Sequence, residues 1–275
     1  MKRIIRYMFP VEQFFWDALR SRVDYLRRLF GTALGFSLFG IGGLLLCLTV
    51  FQLIALFSKN NYQRRERVRS VIGYIFRCHL NMLEILGVLE VKSSKLDRLQ
   101  DLKGTLVICN HPSLLDVVIL ISRLKNVQCV VKNELWTNPL IGGVVRAAGY
   151  IRNDLDPEKF LADCKDQLDR GENIIIFPEG TRSAPGQPIQ LRRGLGNLAL
   201  AAGVDIQALL LDCDPVSLTK EEKWYKIPPR RMVFNVQVGH LFPISNYQCE
   251  QPRSIQVRSL MRDIQHYYNR YLGYE

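Results

Sequence analysis

The residues best suited to chemistry are His111 and Asp116, five positions apart in the stretch Thr105-Leu-Val-Ile-Cys-Asn-His-Pro-Ser-Leu-Leu-Asp116. An imidazole that donates from one ring nitrogen to a carboxylate keeps its other nitrogen free as a general base. On a regular helix, residues five apart point about 140° away from each other and cannot meet. The pair therefore needs a bend that turns the histidine back toward the carboxylate. Without that bend, His111 is an ordinary structural histidine at a helix start, which the spacing alone favours.

The residues around His111 have the pattern of a strand followed by a helix. Residues 105–109 form a short apolar run rich in β-branched side chains, which is typical of a buried strand. A second apolar run, residues 114–121, indicates a helix. Between them Pro112 fixes its own φ and tolerates a first helical turn, and Ser113 is a good N-cap. The sequence therefore predicts a strand, a tight elbow that carries the histidine, and a helix.

A second strand-to-turn stretch, Asn173-Ile-Ile-Ile-Phe-Pro-Glu-Gly-Thr-Arg-Ser183, carries the other group of candidate site residues. Its apolar run predicts a buried strand that ends abruptly. Gly180 permits a positive φ, which lets neighbouring amides converge on an anion. Arg182 offers a planar guanidinium fork that matches a phosphate group. Glu179 is suited to ordering the turn between strand and arginine.

Phe177 to Arg182, taken with Asn110-His111-x4-Asp116, resemble the motifs of the glycerolipid acyltransferase family (the PlsC-like, 1-acylglycerol-3-phosphate type), whose bacterial type member acylates lysophosphatidic acid. The resemblance covers roughly residues 105–211. It implies that His111 deprotonates an acceptor hydroxyl, which attacks the thioester of acyl-CoA or acyl carrier protein. Asp116 would hold the imidazole, and amides of the glycine turn would stabilise the oxyanion. The resemblance implies no metal and no cofactor, because the thioester is already activated.

The resemblance also implies a set of residues that bind the substrates. They are Asn110, Lys132, Arg152, Glu179, Gly180, Thr181, Arg182 and Arg192. Two positions depart from the family pattern. Leu155 replaces the arginine that usually helps to hold the acceptor's phosphate, with Arg152 three residues earlier as a substitute, and residues 206–211 lack the usual proline. These departures leave the reaction class intact and the identity of the acceptor open.

The charge distribution favours a membrane partner. The chain has 275 residues and a formal net charge of +11. Basic residues outnumber acidic ones by seven to three in residues 1–28 and by five to one in residues 59–69, so these flanks carry most of the excess. The sequence therefore predicts anionic membrane lipids, rather than nucleic acid, as the partner of the basic regions.

The segment between those basic flanks is apolar enough to enter a membrane. Residues 29–58 contain no charged side chain, and residues 1–28 have the pattern of a basic amphipathic helix. A turn at Gly40 to Gly43 predicts a hairpin or in-plane anchor with both chain ends on the cytosolic side. A single tilted helix that crosses the bilayer is the alternative. The expected location is a membrane, such as the bacterial inner membrane, with the catalytic domain on its cytoplasmic side.

Cysteine and histidine usage indicates a reducing compartment. The seven cysteines include no Cys-x2-Cys pair, and the four histidines show no clustered ligand spacing. The sequence therefore predicts neither a zinc site nor a disulfide framework. Free thiols within apolar runs, as at Cys109 and Cys129, fit the cytosolic side of a membrane.

Strands alternate with helices after residue 99. Further strands are predicted at residues 127–132, 173–177, 205–211 and 232–238, and helices at residues 157–168, 194–202 and 254–272. Residues 139–148 predict a helix or a turn that contains glycine. This alternation predicts an α/β fold, a mostly parallel mixed sheet flanked by helices, with the site residues at strand ends.

The sheet follows an N-terminal membrane-anchoring helical segment. Residues 68–91 predict a helix that joins anchor to domain, with His79 as a structural residue. The predicted division is a membrane anchor at residues 1–58, a basic linker with the connecting helix at residues 59–95, and an acyltransferase domain at residues 96–275.

Three functions compete for this sequence. The first is a membrane-bound acyltransferase that makes phosphatidic acid or a related phospholipid. The second is the same class of enzyme acting on a specialised acceptor, such as an ornithine lipid or a secondary-metabolite lipid. The third is a hydrolase or a non-catalytic lipid-binding module. A serine hydrolase would want a Gly-x-Ser-x-Gly elbow, which the sequence lacks, and a binding module has no need of both motifs.

Overall fold

The structure is a computed structural model that describes residues 5–99, 101–125, 127–184, 186–220 and 222–274, without the side chains of residues 5–16, 18, 97 and 98. Its α-helices are α1 (Ile5–Leu48), α2 (Val50–Leu56), α3 (Asn61–Ile85), α4 (Asp116–Arg123), α5 (Asn133–Trp136), α6 (Gly142–Ala148), α7 (Pro157–Asp169), α8 (Gly194–Ala202) and α9 (Arg253–Tyr271). Its strands are β1 (Leu89–Ser94), β2 (Leu106–Cys109), β3 (Val127–Val131), β4 (Ile151–Arg152), β5 (Asn173–Ile176), β6 (Ile206–Asp214) and β7 (Met232–Phe242). Residues 1–28, for which an amphipathic helix was predicted, lie partly outside the described residues, and most of their side chains are not described.

The strands of the described residues form one sheet in the order β1-β7-β6-β2-β5-β3-β4. Strands β2 to β6 run parallel to one another, whereas β7 is antiparallel to β6 and parallel to β1. Helices α1, α3, α4 and α6 cover one face, and α7, α8 and α9 cover the other. The predicted fold class, α/β with a mostly parallel mixed sheet flanked by helices, is confirmed. The residues that follow β2, β5, β3 and β4 therefore lie along one carboxyl edge.

Strand β2 shows why the central strands are apolar throughout. Leu106 and Ile108 pack into the core beneath α7 to α9, while Val107 and Cys109 pack into the core beneath α1 to α6. Because each face of the strand meets a helical layer, polar and apolar residues do not alternate along it. Burying one such aliphatic side chain stabilises the fold by about 1.5–3 kcal/mol. The central strands thus form a rigid base beneath the carboxyl edge.

The predicted elements agree with the structure except at two strands. The short strand β4 (Ile151–Arg152) was not predicted, and β1 lies where a helix was expected. The expected helix over residues 68–91 is wrong at its end, because α3 stops at Ile85 and β1 pairs with β7. Gly87 causes the stop: it takes a φ of +71°, which places its backbone outside the helix. Strand β1 lies ahead of the predicted boundary at residue 96, although it belongs to the main sheet.

The N-terminal helices reverse direction later than the glycines indicate. The expected turn at Gly40 to Gly43 is not formed, because α1 continues through these residues to Leu48. The chain reverses at residues 57–60, and α3 then runs antiparallel to α1, with Phe39 stacked on Phe76 at 5.7 Å. Glycine permits close helix packing here, since a Cβ at Gly35 would lie only 2.9 Å from the Leu83 side chain.

Two arginines of the basic flanks are buried. Arg28 is 4% exposed and Arg69 is 5% exposed, and each has partners inside the protein. Their charges are satisfied internally, so the flanks present less charge to a membrane than composition indicates. The segment Leu19–Leu56 is nevertheless long and apolar enough to cross a membrane, with a mean hydropathy of 2.2.

Candidate active site

The elbow after β2 brings His111 and Asp116 together. His111 Nδ1 lies 2.7 Å from Asp116 Oδ2, so the bend that the pair requires is present. Helix α4 begins at Asp116 itself, which leaves residues 110–115 free of helical geometry. The carboxylate accepts a hydrogen bond from Nδ1 and thereby directs Nε2 to the substrate side. The imidazole remains 18% exposed, while the carboxylate is fully buried.

Burial raises the pKa of the Asp116 carboxyl above its ordinary value of 3.8. Hydrogen bonds and positive charge oppose this effect: His111 is the largest opposing influence, followed by the Ser113 N–H, which donates at 2.8 Å, and the Arg182 charge. Within the described residues, Asp116 Oδ1 has no hydrogen-bond partner. The carboxylate is therefore held by one oxygen, and its orientation depends on the elbow.

Ser113 does not cap the helix as the sequence predicts. The N-cap of α4 is Leu115, and no side chain bonds there. Ser113 Oγ instead donates to the carbonyl oxygen of Ser217 at 2.9 Å, and the Leu114 N–H donates to Leu218 O at 3.2 Å. The elbow is thus joined to the chain that follows β6.

The turn after β5 holds the backbone of His111 from the other side. The His111 N–H donates to Glu179 Oε1 at 3.1 Å and to Ser183 Oγ at 3.3 Å. The Ser183 N–H donates to His111 O at 2.7 Å, and its hydroxyl donates to Glu179 at 2.8 Å. Glu179 therefore orders the histidine elbow as well as its own turn. Burial raises the pKa of the Glu179 carboxyl above its ordinary value of 4.5, against the opposing bonds from Ser183 and His111.

Asn110 faces the sheet. Its side-chain NH2 donates to Leu211 O at 2.7 Å, and its side-chain oxygen accepts from the Leu211 N–H at 2.9 Å. The residue is 2% exposed. This reciprocal pair ties the end of β2 to β6, so Asn110 supports the elbow from behind.

Gly180 makes a turn in which a side chain would be strained. Its φ is +69°, and a Cβ there would lie 2.6 Å from Arg192 Nε. Arg192 Nε donates to Glu179 O at 3.3 Å, which keeps its side chain against this turn. The Gly180 N–H donates to Phe177 O at 3.0 Å, so this amide is occupied within the turn. The Gly180 N–H is therefore not free for an oxyanion, and the oxyanion role of the other amides near Gly180 stays a prediction.

Arg182 projects from the half-buried turn of Thr181 toward the chain after β6. Its Nη1 donates to the carbonyl oxygens of Leu218 and Thr219, both at 2.8 Å. Burial lowers the pKa of Arg182, while the charge of Asp116 opposes that shift. Among the described residues, no carboxylate forms an ion pair with Arg182. Its positive charge is thus held near the site and remains available to an anionic ligand.

Lys132 and Arg152 lie farther along the same edge. Lys132 follows β3 and is exposed, and Arg152 ends β4. With strands about 4.8 Å apart, their Cα atoms are roughly 10 Å and 14 Å from the end of β2. Arg152 makes two bonds to Asp154, at 2.9 and 2.7 Å, and lies 5.9 Å from the Trp136 ring centroid. These two residues do not contact the His111 elbow.

Sequence reasoning missed two side chains that shape the site. Phe177 stacks on the His111 ring, with centroids 4.0 Å apart, and Ser183 bonds the His111 backbone. Both lie within the stretch that carries Arg182, so strand-end adjacency was the available signal. The chain from Ser217 onward gave no signal, since its contacts with Ser113 are distant in sequence. Within the described residues, no group of three or more His, Cys, Asp or Glu side chains is placed to hold a metal ion.

Comparison with known proteins shows that part of the chain is similar to acyltransferases. The Acyltransferase family model matches residues 90–211. Over 117 residues the chain is 32% identical to the 1-acyl-sn-glycerol-3-phosphate acyltransferase of Helicobacter pylori, which covers 40% of this chain and 49% of that protein. Over 196 residues it is 25% identical to the protein of the same name from Pseudomonas aeruginosa, covering 70% and 73%. The chain thus spans about half the length of the Helicobacter relative.

The fold has a counterpart among solved structures. The 1-acyl-sn-glycerophosphate acyltransferase PlsC of Thermotoga maritima matches with a TM-score of 0.62 at 16% identity, over 90% of this chain and 97% of that one. At this identity the match speaks for the fold alone. The family match at residues 90–211 contains both strand-end turns, with His111 on one and Arg182 on the other. These matches identify residues 90–211 as an Acyltransferase domain that is similar to those of the PlsC-like enzymes.

Proposed function

We propose that the protein transfers a fatty acyl group from acyl-CoA or acyl carrier protein to the hydroxyl of 1-acylglycerol-3-phosphate, which yields phosphatidic acid. The observation that carries this proposal is the His111–Asp116 pair. Its 2.7 Å contact fixes one ring nitrogen, while the imidazole remains 18% exposed. A positioned, accessible base is what acyl transfer from a thioester to a hydroxyl needs.

The transfer uses His111 twice. Nε2 accepts the proton of the acceptor hydroxyl as the hydroxyl oxygen attacks the thioester carbonyl carbon. When the tetrahedral intermediate collapses, the carbon–sulfur bond breaks and the protonated imidazole returns its proton to the leaving thiolate. Asp116 stabilises the imidazolium between the two steps. Phe177, stacked on the ring at 4.0 Å, keeps the imidazole plane fixed.

The acceptor's phosphate binds at Arg182. This guanidinium is oriented by two carbonyl oxygens and its charge is shared with no carboxylate in the described part of the chain. A fixed planar fork suits a phosphate group. The names of the relatives support the same acceptor, since the Helicobacter and Pseudomonas proteins are named for 1-acyl-sn-glycerol-3-phosphate.

The enzyme works at a membrane surface. Helices α1 and α2 and the residue after them carry exposed apolar side chains, among them Leu48 (65% exposed), Leu56 (75%) and Phe57 (71%). Contiguous exposed apolar surface indicates a lipid partner. Because acyl-thioesters are cytosolic, the catalytic edge faces the cytoplasm, as on a bacterial inner membrane. Cysteine labelling of intact cells at residue 270 tests this orientation: labelling from outside contradicts it.

The activity is tested with purified protein, labelled acyl-CoA or acyl carrier protein, and a panel of lyso-acceptors. We expect labelled phosphatidic acid from 1-acylglycerol-3-phosphate with wild-type protein and none with His111→Ala. Thioester hydrolysis without transfer would contradict the proposal, as would an absence of product with every acceptor.

A second candidate is an acceptor other than 1-acylglycerol-3-phosphate, such as an ornithine lipid. One observation favours it: Arg152, the substitute for the missing family arginine, is bonded to Asp154. Leu155, at the arginine's usual position, packs against the core beneath α7 to α9. The same panel decides between the two, because a phosphate-free acceptor that outcompetes 1-acylglycerol-3-phosphate identifies the second candidate.

A further inference from the structure

A cavity lies on the side of Arg182 that faces α1. It has a volume of about 330 Å³, and its lining includes Phe36, Leu114, Arg182, Leu218, Trp224 and Tyr225. Leu114 belongs to the elbow that carries His111, so the cavity adjoins the catalytic edge. We call it the α1 cavity. Its outer wall is residues 215–231, the chain between β6 and β7, which is described except at position 221.

The catalytic edge holds the near part of that wall. Arg182 donates to the carbonyls of Leu218 and Thr219, and Ser113 Oγ donates to Ser217 O. Leu218 itself takes a positive φ of 57°, a conformation that residues other than glycine seldom adopt. Several hydrogen bonds from the elbow and the arginine thus impose this shape on the wall.

Helix α1 holds the far part of the wall through Arg28. Arg28 Nη1 donates to Pro228 O at 2.6 Å, and Nη2 donates to Pro229 O at 2.9 Å. Arg28 Nε donates to Asp24 at 2.8 Å, which keeps the guanidinium plane in place. Arg28 is only 4% exposed, and its guanidinium binds two successive carbonyl oxygens of the wall. The side chain therefore fixes the wall against α1.

Between the two attachment points the cavity is lined mainly by apolar and aromatic groups. The Phe36 and Trp224 rings lie 5.8 Å apart, one from α1 and one from the wall. Trp224 is 43% exposed and Tyr225 is 45% exposed, so both retain surface for a ligand. Glu222 and Lys223 complete the lining, and Glu222 Oε2 accepts a hydrogen bond from the Thr219 N–H at 3.1 Å. The cavity therefore offers hydrocarbon contacts next to the fixed charge of Arg182, which matches a lipid with an anionic head.

We propose that the α1 cavity binds the apolar chain of the acceptor lipid, and that Arg28 is a positioning residue that holds its wall. The inference rests on the proposed acyltransferase function. The acceptor is favoured over the donor's acyl chain because α1 carries the exposed apolar surface, so a membrane lipid reaches the cavity alongside α1. The thioester donor approaches from water.

Kinetics with acceptors of two chain lengths test the site. Trp224→Ala should raise KM for a long-chain lyso-acceptor by about tenfold, comparable with the loss of roughly two buried methylene groups. KM for a short-chain, water-soluble acceptor, KM for the thioester and kcat should stay near wild type. Equal effects on both acceptors, or an effect confined to the thioester, would overturn the proposal. Lack of turnover by wild-type protein would instead contradict the proposed function.

Arg28 has a matched control one residue away. Arg27 also bonds Asp24, but it is exposed and makes no bond to the wall in the described residues. Arg28→Met should show the same chain-length-dependent rise in KM as Trp224→Ala, whereas Arg27→Met should not. Arg28→Lys should restore part of the effect. If both methionine variants behave alike, the wall does not depend on Arg28.

Fluorescence quenching tests binding without turnover. The chain has three tryptophans, so Trp16→Phe with Trp136→Phe leaves Trp224 alone. A lyso-acceptor brominated along its chain should quench Trp224, and the unbrominated acceptor should reverse the quenching competitively. The matched protein that keeps only Trp136 should show no competable quenching. Quenching that the unbrominated acceptor cannot reverse, or equal quenching in both proteins, would show that the chain does not occupy the α1 cavity.

Discussion

Both ends of the parallel strands carry a buried carboxylate bonded to a basic side chain. At the carboxyl edge, Asp116 bonds His111. At the amino edge, Glu172, which immediately precedes β5, bonds Arg69 of α3. The second pair is enclosed, since its side chains are 2% and 4% exposed, whereas the His111 ring is 18% exposed.

The surroundings of the two pairs differ accordingly. Glu172 also accepts from Gln128 at 2.8 Å, and Arg69 also donates to Ala148 O at 3.1 Å, so that pair joins four elements. At the carboxyl edge, the bonds support the backbone of the histidine and leave Nε2 for a ligand. An enclosed ion pair can only hold the fold together, while a carboxylate with a partly exposed partner can act on another molecule. The following predictions test that difference.

The largest effect is expected for His111→Ala. Loss of the general base should reduce acyl transfer by about 10²–10⁴-fold, because no other group can take the hydroxyl proton. The variant should still fold, although its melting temperature should fall because the buried Asp116 carboxyl keeps only the Ser113 N–H as a partner. Turnover assays and thermal unfolding measure the two quantities. Near-wild-type turnover would remove the histidine from the mechanism.

Asp116→Asn should also impair activity severely. The amide NH2 would donate to Nδ1, which places the ring proton on Nε2 and removes the base. We expect a loss of up to about 10⁴-fold, and little further loss when His111→Ala is added, because the two residues act as a unit. Independent, multiplicative losses in the double variant would contradict this coupling.

At the enclosed pair, the expected effect is on stability. Glu172→Gln leaves the Arg69 charge buried without its partner, which typically costs about 3–5 kcal/mol of unfolding free energy. Replacing both residues, as Arg69→Met with Glu172→Leu, should recover much of that loss. Denaturant titration measures it, and the specific activity of the folded fraction should match wild type. If Glu172→Gln were as stable as wild type but inactive, the two edges would not differ as proposed.

The pH dependence of the unfolding free energy should differ between wild-type protein and the Asp116→Asn variant. The folded-state pKa of Asp116 is raised above 3.8, so the folded protein binds this proton more tightly than the unfolded chain. The contribution of Asp116 to stability should therefore be complete below pH 3.8 and decrease as pH rises to the raised pKa. Relative to Asp116→Asn, wild-type protein should lose unfolding free energy over that window. A difference that stays constant with pH would contradict the shift.

The smallest effect is expected at the exposed pair Arg152–Asp154. Arg152→Gln should change the acceptor KM by less than about threefold, because an exposed pair is screened by solvent. Arg182→Gln should raise the acceptor KM far more and leave the thioester KM unchanged. Steady-state kinetics with each substrate varied in turn measure this. A larger effect at Arg152 would move the phosphate site to β4.

Local patterns predicted much of this molecule. The strand, elbow and helix around His111 follow from residues 105–121, because their apolar runs and Pro112 are local signals. The same holds for the turn at Gly180. The distant partners that hold the elbow, such as Ser217, gave no such signal. The roles of Arg28 and Arg69 did not follow, because a basic residue on a polar or flanking stretch gives no sign of its distant partner. The reversal at residues 57–60 was missed for a related reason: glycines such as Gly35 serve helix contact there and not a turn.

The direction of β7 has a consequence for how the specificity of this protein can diversify. Because β7 is antiparallel to β6, residues 215–231 leave the sheet and rejoin it at the edge that carries His111. Insertions or replacements in this stretch need not disturb the pairing of any strand. The stretch is thus a natural place for relatives to differ in acceptor range, and a suitable site for grafting a wall from one relative to another.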